Sequence, residues 1–253
     1  MDTMRLPNGQ EIFQINPGET SLMYRNIVSG RSYLQHGVTL HPDSTVFDVG
    51  ANVGIATLFF HWTCPGLRVF AFEPAPELFK ALQANIEAHH VNAVACDFAL
   101  SRAAGTKELV YYPDTTVMTG LYADPEDDAR LTRAFLENSG FDAIDVEDLS
   151  AGRHDIEVGS CRVTTLSEVM RSYGLDSIDL LKVNVEKAEQ DVLAGIDDED
   201  WAKIRQLTVQ LHDIDGRLEA IREELAAHGY KITVDQDPLL AGTEIYELFA
   251  IRP

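Results

Sequence analysis

The stretch from Val46 to Phe60, VFDVGANVGIATLFF, constrains this chain more than any other. An apolar run enters, Asp48 stands near its end, and Gly50, Asn52 and Gly54 follow at alternate positions before an apolar segment of helical character resumes. That pattern predicts a strand, a tight glycine turn and a helix start. Units of this kind place ligands at the carboxyl end of a parallel sheet, where backbone N–H groups at the helix N-terminus are free. A dinucleotide fingerprint would need G-x-G-x-x-G, but counting from Gly50 the second and third glycine positions hold Asn52 and Ile55. No G-x-x-x-x-G-K-[ST] cradle for a triphosphate occurs anywhere. The turn therefore suits a ligand without phosphates, positively charged, whose hydroxyls need acceptors.

The next strand, Arg68 to Glu73 (RVFAFE), ends in a carboxylate 25 residues after Asp48. An acid there can accept hydrogen bonds from both hydroxyls of a ribose, a feature common to S-adenosylmethionine and NAD. DVGANVG, then FEPAPELFKALQANI, then DLLKVNVEKAEQDVLAGI, resembles the FkbM family of class I S-adenosylmethionine-dependent methyltransferases. The resemblance runs roughly from Tyr24 to the C-terminus. It implies a Rossmann-like α/β fold with a seven-stranded, mostly parallel sheet and helices on both faces. It also implies S-adenosyl-L-methionine as cofactor, held around Asp48, Gly50, Asn52, Gly54 and Glu73.

With 253 residues and 45% hydrophobic content, one domain with a sizeable core is expected over residues 1–253. The net charge of -21 argues against nucleic acid, whose backbone is bound by Lys and Arg with release of counterions, and against anionic membranes. Cys64, Cys96 and Cys161 are widely spaced and suggest neither zinc nor a disulfide framework. No signal-peptide pattern or membrane-spanning run stands out, so a cytoplasmic location is expected.

In chain order, residues 1–40 form an N-terminal arm and cap. Turn signals at Pro7-Asn8-Gly9 and Pro17-Gly18 suggest a hairpin, and Thr20 to His36 looks helical despite Gly30. Tyr24 and Tyr33 in that cap can pack or touch ligand. A helix over Glu77 to His89 and a strand within Val91 to Leu100 follow. At that strand's end, Asp97 and Phe98 stand where this methyltransferase class often presents an acid and an apolar side chain to adenine. The alternative is a polar strand end beside a core phenylalanine. Thr106 to Tyr112 is an added strand, and 113–160 departs from strand-helix rhythm, which suggests an inserted lid that shapes the acceptor site, the alternative being a mobile surface insertion. Asp179 to Val185 and Gln206 to Leu211 are the fourth and fifth strands. A helix over Leu218 to His228 and a C-terminal pair, Tyr230 to Val234 with Glu244 to Ile251, complete the sheet.

Methyl transfer to a hydroxyl needs in-line alignment and removal of the hydroxyl proton. Lys182, Asn184 and Glu186 alternate and share one face, and His212 and Asp213 approach from the neighbouring strand. His212 is the expected general base, the alternative being a histidine satisfied at a strand end. Glu186 can orient it, position the acceptor or ligate a divalent ion, and Glu189 can pair within its helix. Glu186, His212 and Asp213 are hard-ion-capable, which makes Mg²⁺ a further candidate. Against the family pattern DLLKIDVEGAE, Asn184 replaces an acid and Lys187 a glycine. Asn184 can bind a hydroxyl but cannot act as a carboxylate base.

The expectation is an S-adenosylmethionine-dependent O-methyltransferase acting on a hydroxyl of a small molecule or carbohydrate. A nicotinamide-dependent oxidoreductase and a non-catalytic S-adenosylmethionine-binding module are the alternatives.

Overall fold

The computed structural model describes residues 1–150 and 155–252. β1 (Asp2–Arg5) and β2 (Glu11–Gln14) form the expected N-terminal hairpin around Pro7-Asn8-Gly9. Pro17-Gly18, taken as a turn signal, instead opens α1 (Pro17–Met23), because the Asn16 side chain accepts from the N–H groups of Gly18 and Glu19. The helix expected to reach His36 ends sooner. A π-helical turn covers Tyr24–Ser29, and a Cβ on Gly30 would lie 2.7 Å from the Asn26 carbonyl oxygen.

Seven strands make the main sheet: β3 (Thr45–Val49), β4 (Arg68–Phe72), β5 (Ala93–Cys96), β9 (Leu180–Val183), β10 (Gln206–His212), β11 (Lys231–Asp235) and β12 (Ile245–Ile251). Their order is β11-β12-β10-β9-β3-β4-β5; only β12 runs antiparallel to its neighbours. The expected seven-stranded, mostly parallel sheet is thus present. Consecutive apolar residues in β3 and β4 reflect burial on both faces. Val46, Ala71 and Leu180 pack toward α2 (Ile55–Thr63), α3 (Pro76–Ala88) and the N-terminal cap. Phe47, Phe70, Leu181 and Leu207 pack toward α6 (Leu166–Tyr173) and α8 (Arg217–Ala227).

A second sheet joins β6 (Ala99–Leu100), β8 (Glu157–Thr164) and β7 (Gly105–Tyr111) in that order. The added strand therefore lies outside the main sheet. β8 was not anticipated, and it begins inside the stretch taken as a lid; its outward residues are exposed, so no apolar alternation marks it. The inserted segment carries α4 (Pro125–Asn138) and α5 (Ala143–Ser150), and residues 151–154 of the expected lid lie outside the described residues. All three cysteines are buried and free, as ordinary core residues. Among the described residues, no helix is long and apolar enough to cross a membrane.

α7 (Glu189–Leu193) is tied to the second sheet through Asp191, which accepts from Arg102 Nε at 2.7 Å, Lys107 Nζ at 2.5 Å and Tyr122 Oη at 2.6 Å. Burial pushes this carboxyl up, but Lys107, Tyr122 and Arg102 outweigh it and hold it down at about 2. A depressed folded value stabilises the protein above the unfolded pKa near 3.9, and that contribution fades as pH falls toward 2. Asp191→Asn is expected to cost about 2 kcal/mol in urea unfolding at pH 7, with the gap to the parent narrowing as pH falls from 4 to 2. A gap that stayed constant with pH would assign the loss to packing instead.

Candidate active site

The carboxyl ends of β3 and β9 meet at the glycine turn. Gly50 adopts φ 75°, and a Cβ there would lie 1.7 Å from the Asn184 carbonyl oxygen. Only glycine permits that approach. Asn52, at φ 51°, donates its backbone N–H to Glu73 Oε2 at 2.8 Å, and Ala75 N–H donates to Glu73 Oε1 at 2.9 Å. Burial outweighs both donors and raises the Glu73 carboxyl to about 7.

These groups border a cavity of about 720 Å³ on the carboxyl side of the sheet. Gly50, Asn52 and Glu73 line it together with Phe72, Ala99 and Leu100 toward β4 and β5. Toward β10 and β12 the lining passes to Tyr33, Asn184, Gln210 and Glu247, and α4 contributes Leu131 and Phe135. Tyr24, the other tyrosine of the cap, does not line it. Gly54, at φ 94°, lies behind the turn, where a Cβ would meet Leu82 Cδ1 at 2.8 Å, so it serves helix packing.

Several expected site residues lie elsewhere. Asp48 is fully buried under the turn, 2.9 Å from Lys182 Nζ, and accepts from Thr57 Oγ1 at 2.6 Å. Its strand-end position hides it beneath the cavity floor. Asp97 and Phe98 also miss the cavity, because the chain turns after β5 to enter the second sheet. Asp97 is exposed and 3.2 Å from Arg162 Nη2, and Phe98 packs edge-on against Phe72. Ala99 and Leu100 take the lining position instead.

Of the expected catalytic group, Asn184 and Glu186 line the cavity and His212 does not. Asn184 Nδ2 donates to Tyr33 Oη at 3.3 Å. His212 is 2% exposed, with Nδ1 3.1 Å from Glu189 Oε1 and Nε2 at an ion-pair distance of 3.4 Å from Glu186 Oε2. Burial alone lowers a histidine, yet the two carboxylates raise this one to about 10. A ring already protonated at neutral pH has no site for a substrate proton, so this geometry contradicts the general-base role. The suggested metal set is not assembled either. Asp213 Oδ1 accepts from Leu218 N–H at 3.0 Å, and no metal-ligating cluster forms among the described residues.

The family model for the methyltransferase FkbM domain matches residues 48–232. The chain belongs to the FkbM methyltransferase family. It is 44% identical over 253 residues to 31-O-demethyl-FK506 methyltransferase FkbM of Streptomyces tacrolimicus, covering 100% of this chain and 97% of that one. It is 31% identical to methyltransferase sdnD of Sordaria araneosa, over 88% of this chain and 87% of the other. The crystal structure of an FkbM methyltransferase from Methylobacillus flagellatus KT shares the fold with TM-score 0.53 at 13% identity, over 86% of this chain and 46% of that chain.

Two features of this FkbM methyltransferase escaped sequence reasoning. The first is Glu247, an acid on the otherwise apolar face Ile245, Phe249, Ile251 of the last strand; that break in alternation was a readable signal. The second is the use of Lys187. Its Nζ lies 2.7 Å from Asp128 Oδ1 and 2.8 Å from Asp127 Oδ2 in the first turn of α4. Its backbone holds φ 68°, a conformation glycine takes without steric cost. Lys187→Ala is expected to cost about 2 kcal/mol in urea unfolding and to speed amide exchange through α4. Lys187→Gly should be less destabilised by about 1 kcal/mol yet exchange as fast. Unchanged exchange over 125–138 would show that this pair does not hold the helix.

Proposed function

We propose that this protein transfers a methyl group from S-adenosylmethionine to a hydroxyl of a small-molecule acceptor. The observation that carries the reading is the pairing of the Gly50 turn with a buried Glu73 carboxyl at one end of a cavity, in an FkbM-family chain. Glu73 retains unused lone pairs after its two backbone donors and can accept from both ribose hydroxyls. Phe72, Ala99 and Leu100 offer an apolar surface for the adenine ring. NAD fits less well, since its pyrophosphate would need close backbone approach where Asn52 and Ile55 stand.

When bound, S-adenosylmethionine supplies an activated methyl on a sulfonium. The chain's own part is alignment and exclusion of water. Asn184 and Tyr33 form a hydrogen-bonded pair at the cavity wall that can orient an acceptor hydroxyl. Leu131 and Phe135 of α4 give an apolar roof, consistent with the inserted segment acting as a lid and with an acceptor of substantial apolar surface. The full-length relative named for 31-O-demethyl-FK506 supports O-methylation of such a molecule. A carbohydrate acceptor has no comparable support.

Calorimetric titration with S-adenosylhomocysteine should show binding, with no heat from NAD. Glu73→Gln should weaken S-adenosylhomocysteine about 10- to 100-fold, the loss of charged hydrogen bonds worth about 1.5–3 kcal/mol. Because the Glu73 carboxyl stands at about 7, cation binding near it should release a proton, and affinity for S-adenosylmethionine should fall as pH drops below that value. Heat from NAD alone would sink the cofactor assignment.

A further inference from the structure

With His212 buried between two carboxylates, the acceptor proton needs another destination. The carboxylates lining the cavity differ sharply in what holds them. Glu73 takes two backbone N–H donors, and Glu19 accepts from Thr116 N–H and Oγ1. Asp128 is held by Lys187 and Tyr112, Glu186 faces His212, Asp235 faces His36, and Asp237 caps Leu239 N–H. Among the described residues, no hydrogen bond or ion pair engages the carboxyl of Glu247.

Its position follows from the sheet. Glu247 stands opposite Gln210, and Val209 stands beside Val183, so Asn184, Gln210 and Glu247 form one row across β9, β10 and β12. Side chains two apart along each strand share that face with Lys182 and Phe249. The same face carries the cavity, with Tyr33 over Asn184 and Lys182.

We propose that Glu247 is the general base that takes the acceptor hydroxyl proton. The inference rests on the methyl-transfer reading above. As the acceptor oxygen forms its bond to the methyl carbon, the carbon–sulfur bond breaks with its electron pair staying on sulfur. The O–H proton passes to a Glu247 oxygen. The products are a methyl ether, a neutral thioether and a neutral carboxylic acid, so the sulfonium and carboxylate charges cancel.

The surroundings suit that task. Burial, then Asp237 and Asp235, raise the Glu247 carboxyl to about 7, which makes it a stronger base than an ordinary glutamate while leaving it ionised above neutrality. Asp235 on β11 is shared with His36, Tyr33 faces it from the cap with Lys182 beneath, and Gln210 is its neutral neighbour on β10. Glu244, just before β12, is taken up by Arg130 of α4.

The test uses the full chain with S-adenosylmethionine and 31-O-demethyl-FK506 as probe acceptor, comparing the parent with Glu247→Gln and Glu247→Asp. Glu247→Gln should lower kcat by about 10²- to 10³-fold at pH 8, with S-adenosylhomocysteine affinity kept within about twofold as proof of folding. At saturating S-adenosylmethionine, where the Glu73 effect on affinity drops out, the parent kcat should rise through pH 7, Glu247→Gln should lose that rise, and Glu247→Asp should keep it at reduced kcat. A parental kcat in Glu247→Gln, or a lower kcat with the pH rise intact, overturns the proposal. If the parent leaves the probe unmethylated, that acceptor fails. Glu247 is then judged by infrared difference titration of parent minus Glu247→Gln with S-adenosylhomocysteine bound. A carboxyl titrating near 7 supports the base, and one near the ordinary 4.3 overturns it.

Discussion

The buried pair between Asp48 and Lys182 is the constraint on which the rest of the site depends. Lys182 Nζ has three donors, and three acceptors meet it: Asp48 Oδ1 at 2.9 Å, the Gly50 carbonyl at 2.7 Å and the Val49 carbonyl at 3.2 Å. Asp48 in turn holds Thr57 in the first turn of α2. Taking both charges out of water is costly, and such a pair does not stabilise a fold merely by existing. Here it locks the carbonyls of the glycine turn downward, which leaves the opposite side of that turn for a ligand. Burial lowers the lysine and Asp48, with Tyr33, more than restores it, so the ammonium stays charged.

That arrangement explains why the sequence was informative at one end of the cavity and misleading at the other. The first end is built largely from backbone: Gly50 is demanded by a 1.7 Å clash, and Glu73 is carried by a strand end and two N–H donors. Strand ends and glycine spacing are visible in one dimension. Asp97 and Phe98 failed because their placement depends on where the chain goes after β5, and it goes to a second sheet completed by a strand some sixty residues later. Strand order brought His212 beside Glu186, which was expected to be able to orient it, but no local pattern revealed that Glu189 would take its other nitrogen and bury the ring.

Lys187 illustrates a different limit. The backbone is left-handed at 186 and 187, a conformation glycine takes without steric cost, so lysine in place of the family's glycine reads as a loss of local freedom. In space it is a long-range contact. The lysine reaches from the loop after β9 to α4 and meets Asp127 and Asp128, while Arg217 Nη1 donates to its carbonyl at 2.9 Å and supports the loop from α8. Backbone strain of about 1–2 kcal/mol is offset by pairing that only the folded chain supplies. No local rule would have assigned those partners.

The charge of the chain takes on a sharper meaning inside the cavity. With net charge -21, a carboxylate is an unremarkable residue on this surface, and most cavity acids are consumed by structure. His212 pairs with Glu186, Lys187 pairs with Asp128, and backbone N–H groups hold the acid at the glycine turn. Glu247 lies beyond those donors, next to Asp235 and Asp237, which disfavour its ionised form. The same negative field disfavours an anionic group at that end of the cavity, in keeping with the proposed neutral acceptor under the apolar residues of α4. Charge distribution thus separates the two halves of one cavity. The end where two backbone N–H groups fix a carboxylate and leave lone pairs free suits a cation with ribose hydroxyls, and the proposed base stands at the end where the carboxylate is unbonded.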